Sequence, residues 1–368
     1  MRRADLSYVA LALTPGIGRG RMDALLSRFH SADAVLRQSH DALSSVRGMS
    51  SAAATAVRNC SHERALAVVD RAERLGGVVL IPRDARFPAE LRTIPESPTL
   101  LFALGRLELL QRAAVAIVGS RRHTRYGAEA CRHFAGGLAR AGLVVVSGMA
   151  RGLDAVAHAA CLDAGGGTVG VLGNGLGVVY PAANRALYER VAREGCLVTE
   201  FPPGERPNAG SFPRRNRVIS GLARATLVVE AGSRSGALIT AGCALDQARE
   251  VLAVPGPVTS PLSVGCNRLV RSGAKPALDL DDVLEEYGLA AEAAPELRIP
   301  ADLSDAERRL LNVLAAGECH PDGLAESVGA PVADTLAVLT GLEIRGLVEQ
   351  DPGKVFRRAT SLGRLVPE

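Results

Sequence analysis

A chain of 368 residues is longer than one ordinary domain and long enough to bury more than one core. With 47% hydrophobic and 22% charged residues it has the makeup of a folded protein, and a net charge of +4 excludes attachment to nucleic acid through bulk charge, so any such binding must be local. Seven cysteines without CxxC pairing indicate neither a zinc site nor a disulfide framework, and no apolar run is long enough to span a bilayer. The first residues, MRRADLSYVALAL, lead into a polar turn at 14–18 without a small-residue cleavage site, so the expectation is a cytoplasmic protein, with no metal and no cofactor.

Residues 5–75 read as short helices interrupted at LTPGIGRG (13–20) and SVRGMSSAA (45–53). Each break sets a small residue before a glycine hairpin and a following helix. That is the pattern of a helix-hairpin-helix unit, whose exposed amides can hold a phosphate. Turn glycines that only close a small helical domain give the same letters.

From Gly77 the pattern changes to strands. VVLI and TLLFALG flank the polar turn PRDARFPAEL; then AVAIVGS, LVVVSGMA, TVGVLGNG, CLVTEF, ATLVVEAG and EVLAVPG alternate with helical periods. Strands apolar on both faces and separated by helices predict a doubly wound parallel α/β sheet. Ligands on such sheets bind beyond the carboxyl ends of the strands, which gathers residues 119–122, 148–154, 173–177 and 232–236 along one rim. Glycines there let a backbone approach a ligand, while Arg121, Arg122, Arg151, Ser235 and Thr240 supply charge and hydroxyl donors.

Between the fourth and fifth strands of that series stands FPRRNRVISGL (212–222), expected just ahead of an apolar helix. Arg214, Arg215 and Arg217 carry guanidinium forks that match phosphate oxygens, and Phe212 offers a flat face to a base. A cationic groove with an aromatic platform is the combination that holds single-stranded nucleic acid. A solvated turn beside a core phenylalanine is the plainer reading of the same residues, and the four rim loops are what favour the groove.

After Tyr287, GLAAEAAPELRIPAD reads as a linker. Helices at 304–316, 321–328 and 332–345, then a polar hairpin at 348–357, have the order of a winged helix. Its third helix would be the one to read a major groove, but it sets Asp334 and Glu343 against a single Arg345, so partner docking or regulation is expected in place of duplex reading.

Taken together, VGSRRHTRYG, VSGMARGLDAVAH, LGNGLGVVYP, FPRRNRVISGLARATLVVEAGSRSGALIT and VLAVPGPVTSPLSVGCNRLVRSGA resemble the DNA-processing protein A (DprA, or Smf) family over roughly residues 78–287. The resemblance implies an extended Rossmann-like sheet domain at 77–287. A small all-α, SAM-like or helix-hairpin-helix-like domain at 1–76 would precede it, and a linker at 288–301 and a winged-helix-like domain at 302–368 would follow. It also implies a homodimer that binds and protects incoming single-stranded DNA in natural transformation and loads the RecA recombinase onto it. Carried over to this chain, Arg121 and Phe212 are the first contacts, Gly148, Asn174, Gly175, Ser235 and Gly236 line the pocket, Arg214, Arg215 and Arg217 add charge, and Asn216 orders the turn. The chain departs from the family at Ala209 and Ala182, where basic residues are usual, with Arg185 and Arg206 as the candidates to compensate; GNGLG replaces the usual GCGLD or GTGLD.

The competing class is a nucleotide-processing enzyme of the lysine-decarboxylase-like phosphoribohydrolase type, which carries PGGxGTxxE. Here GSRSGALIT occupies that loop with no glutamate after it, and P-loop, HExxH and GxSxG motifs are absent from the sequence. Asp154, Glu200 and Glu230 are expected to cap, His158 to pack and His123 to touch a phosphate, so no catalysis is expected.

Overall fold

Among the residues that the computed structural model describes (3–290, 300, 302–351 and 353–359), the apolar runs form a nine-stranded sheet. In chain order its strands are β1 (Val78–Leu80), β2 (Leu101–Gly105), β3 (Ala114–Val118), β4 (Val144–Ser147), β5 (Thr168–Val171), β6 (Cys196–Thr199), β7 (Ala225–Val228), β8 (Glu250–Ala253) and β9 (Lys275–Pro276). Their spatial order is β1-β2-β6-β5-β4-β3-β7-β8-β9. Every pair from β6 across to β9 is parallel, whereas β1 and β2 add an antiparallel edge beside β6.

Strands β3 to β7 are buried at every position because helices cover both faces. The side chains still alternate. Val115 and Ile117 of β3 meet Phe134 and Leu138 of the helix Arg125–Arg140, while Ala116 and Val118 join the opposite core with Val218 and Ile219 of the helix Ser211–Gly221. The chain proceeds from β3 outward through β4, β5 and β6, then returns to place β7 on the other side of β3. The helix after β3 leaves to one face and Gly236–Asp246, after β7, to the other, which opens a crevice at the carboxyl ends of these two strands.

Six helices precede the sheet: Arg3–Ala12, Arg19–Phe29, Ala32–Leu36, His40–Ser44, Ser51–Arg58 and His62–Arg74. Serines 31, 39, 50 and 61 start four of them, each side chain accepting a backbone N–H at 3.1–3.2 Å. Leu11, Met22, Leu25 and Leu43 form a local core, whereas Val9, Ala65 and Val69 share a core with Phe102, Leu172 and Leu197 of the sheet domain. The two glycine hairpins are tied together by Arg21, which donates to Gly16 O at 2.6 Å and Gly48 O at 2.8 Å; these glycines hold matching φ values of 81° and 82°.

The chain divides into two compact units, Met1–Ala291 and Glu292–Glu368. The expected linker, 288–301, lies outside the described residues apart from 288–290 and 300. In the second unit the helices Asp305–Leu314, Pro321–Val328 and Val332–Ile344 precede the hairpin β10 (Val348–Asp351) and β11 (Val355–Arg358), packed around Leu311, Leu324, Leu339 and Leu342. Arg345, the cation of the third helix's end, is held by Asp302 at 2.8 Å and Glu307 at 3.2 Å, and the exposed side of that helix shows Val332, Leu336 and Ile344. Among the described residues no single helix is long and apolar enough to cross a membrane.

Candidate nucleic-acid interface

The loop after β3 is held in one shape by its neighbours. Ser120 Oγ donates to Arg122 O at 2.7 Å and accepts from Arg122 N at 3.1 Å, while Leu153 N donates to Ser120 O at 3.1 Å. Gly152, at φ 80°, passes so close to Ser120 O and the Arg121 backbone that a Cβ would strike both. Buried Glu230, just beyond β7, accepts from Thr124 N at 2.9 Å and from Thr124 Oγ1 at 2.6 Å; the same threonine caps the helix Arg125–Arg140. With its backbone committed inward, the loop turns Arg121 and Arg122 out to solvent.

These two arginines line a groove of ≈740 Å³ at the crevice between β3 and β7, together with Phe212, Arg234, Ser235 and Gly236. Arg121, Arg122 and Arg234 are exposed and form no ion pair among the described residues. The Arg121 guanidinium lies 5.7 Å from the centroid of the half-buried Phe212 ring, and the exposed Tyr180 ring follows at 5.5 Å, tilted by 37°. The result is a cation, two aromatic rings and two further guanidinium groups along one edge of the sheet. Such an edge can hold phosphates and stack unpaired bases.

The arginine cluster of 214–217 does not form one surface, which corrects the expectation from sequence. The helix begins at Ser211 and contains the cluster, so about 100° of rotation separates successive side chains. Arg215 is only 5% exposed; its Nη1 donates to Gly148 O and to Val171 O at 2.6 Å, and its Nε reaches Asn216 Oδ1 at 3.3 Å. Arg217 is paired through Nη2 with both oxygens of Glu200, at 2.5 and 2.7 Å. Arg214 is exposed but stacks 5.3 Å above Phe201, in a different cleft. Arg215 and Asn216 thus form the inner wall of the groove, and Arg217 is a structural cation.

Three further candidates are also inside. Asn174 is buried and donates to Gly175 O at 3.1 Å and Val178 O at 2.8 Å, ordering its own loop. Gly175 admits the close approach of the Pro202 carbonyl, and Gly148 that of the Arg215 guanidinium. Arg151 and Arg185 are exposed but stand outside the groove's lining. Tyr180 and Arg234, conversely, escaped the sequence reading. A signal for Arg234 was present: Gly-Ser-Arg occurs at 119–121 and again at 232–234, after the two strands that flank the crevice.

The buried titratable groups of the sheet domain are placed for packing. Burial pushes the Asp154 carboxyl upward, with the adjacent Arg215 opposing the shift, and the same burial brings Arg215 down to about 10, so it stays cationic at neutral pH. Burial also raises the thiols of Cys161, Cys196 and Cys266 to about 12. His158 meets Thr168 Oγ1 through Nδ1 at 2.7 Å, and burial followed by the charge of Arg215 lowers its pKa from 6.5 to about 3. The unfolded chain therefore binds the extra proton between those values, so this group's contribution to stability is complete above about pH 6.5 and is lost as pH falls toward 3. The expected slope is up to about 1.4 kcal/mol per pH unit. The raised carboxyls of Asp154 and Glu200 act in the opposite sense, so the difference in urea midpoints between wild type and His158→Gln across that range isolates the ring.

The model of the family described as DNA recombination-mediator protein A matches residues 78–288, and that of the DprA winged helix domain matches residues 291–354. The chain belongs to the DprA family. Among its relatives, Protein Smf of Escherichia coli is 40% identical over 287 residues, covering 76% of this chain and 77% of that protein. The X-ray structure of DNA processing protein A from Streptococcus pneumoniae superimposes with a TM-score of 0.68 at 33% identity, over 76% of this chain and 97% of that one. A DNA processing protein A structure from Helicobacter pylori, solved to explain its single-stranded DNA binding mode, matches with a TM-score of 0.53 at 26% identity, over 57% of this chain and 95% of that one. The DprA membership agrees with the extended α/β sheet and with the third helix's place in a winged-helix domain.

Proposed function

We propose that this DprA-family chain binds unpaired DNA along the groove between β3 and β7, with phosphates on Arg121, Arg122 and Arg234 and a base against the Phe212–Tyr180 rings. The observation that carries this reading is the set of three solvent-facing guanidinium groups, none held in an ion pair among the described residues, beside an aromatic platform. The Helicobacter pylori relative, which binds single-stranded DNA, supports the same ligand class here. On this reading the protein is a homodimer that acts in natural transformation in the cytoplasm, shielding the incoming strand and passing it to the RecA recombinase. The assignment favours binding over catalysis. The acid in the groove's lining is Asp154, buried beneath Arg215, and the nearby Glu230 is taken up by Thr124. A phosphoribohydrolase would need an open carboxylate facing the ribose.

Counterion release provides the test. Affinity for a single-stranded oligonucleotide should fall steeply with salt, and Arg121→Ala should reduce the slope of log K against log salt by about 0.7, the share of one phosphate contact on a single strand. Binding indifferent to salt, or hydrolysis of a nucleoside monophosphate by the same preparation, would reject the assignment.

A further inference from the structure

The helix Ser211–Gly221 has two working faces. Phe212, Asn216 and Ile219, spaced four and three residues apart, face the groove already described; Arg214 and Arg217, three apart, face a separate cleft of ≈970 Å³ on the other side. The opposite wall of that cleft is the first glycine hairpin with Arg19 and Arg21, and Arg64 of the helix His62–Arg74 also lines it. Three glutamates, Glu96, Glu200 and Glu205, line it as well, so its charge is mixed.

The state of the arginines decides what it can hold. Arg19 is paired with Asp23 at 2.6 Å, Arg21 is bound to the hairpin carbonyls, and Arg217 is paired with Glu200. Arg64 and Arg214 are exposed and form no ion pair among the described residues, although the Arg214 charge acts on Glu200 across the cleft. Arg217 Nη1 is buried and has no hydrogen-bond partner among the described residues, although its Nη2 is saturated. A buried, unsatisfied guanidinium N–H calls for an acceptor. Gly18 and Gly20 leave open space beside the hairpin backbone, room for a chain to lie against it.

We propose that this cleft is a second phosphodiester-binding segment: DNA leaving the groove at Phe212 passes round about half a turn of the helix to Arg214 and continues to Arg64 along the first hairpin. The proposal rests on the groove being a single-strand site, and it assigns the helical N-terminal region a direct part in holding the strand.

The test is a length series of single-stranded oligonucleotides measured on the full chain as wild type, as Arg64→Ala with Arg214→Ala, and as the corresponding double lysine variant. Wild type should gain affinity with length beyond the shortest strand that fills the groove. The double alanine variant should lose that gain, on the order of tenfold, with the salt slope on long strands falling by about 1.4 for two lost contacts, while short strands bind as before and lysine restores the gain. Equal losses on short and long strands, or none on either, would overturn the second segment while leaving the groove intact. So would tight binding of free inorganic phosphate in the cleft without any length effect, which would make it an ion site. Failure of the wild type to bind short strands would remove the groove assignment and this one together.

Discussion

Arg215→Ala is expected to lower the stability of the sheet domain by about 3 to 5 kcal/mol, the loss typical of breaking a buried ionic contact. The guanidinium is enclosed, satisfies the Gly148 and Val171 carbonyls, and stands beside the carboxyl of Asp154; alanine would strand all three in a cavity. Urea unfolding measures this directly. Arg121→Ala, by contrast, should leave the free energy of unfolding within about 0.5 kcal/mol of wild type, because its side chain is exposed, while weakening single-strand binding. A stable Arg215→Ala protein that had lost only DNA affinity would place this arginine on the ligand and contradict the geometry.

The second large effect is on binding. Phe212→Ala should weaken single-strand affinity by about 1 to 3 kcal/mol, the range for removing one stacking ring. The ring rests on the backbone of Gly173, where a Cβ would collide with it, and is flanked by Arg121 and Tyr180, so its position is set before any ligand arrives. Phe212→Tyr should retain most of the affinity and Phe212→Leu should not, since leucine fills similar space without a π face. Fluorescence anisotropy with a single-stranded oligonucleotide separates the three. If leucine binds as well as phenylalanine, the residue supports the helix and stacks on nothing.

Much of the architecture is legible in the residues alone. The six apolar runs became β3 to β8, and the turn glycines at 16 and 48 became hairpins. The winged-helix elements fell within a few residues of their expected limits, because periodicity and helix caps are local signals. The candidate site is legible only in part. Arg121, Arg122, Phe212, Ser235 and Gly236 do share the groove, since each lies at a strand's carboxyl end or on the helix that borders it. The run RRNR looks like one cationic patch only if adjacency in sequence means adjacency in space, and that holds for neither a helix nor its surroundings.

What the sequence determined alone was the parallel sheet and the rim at its carboxyl ends: a strand buried on both faces has to be apolar throughout, and its polar turn has to fall at its end. Which arginines meet solvent was decided by the tertiary structure. Helical rotation sent Arg215 to one side and Arg214 with Arg217 to the other, and the elements packed there differed: Gly148 and Val171 took one guanidinium, Glu200 took another, and Phe201 lay beneath the third. The same letter therefore became a core strut, an ion pair and an exposed cation, because a charge is buried only where folding brings it partners.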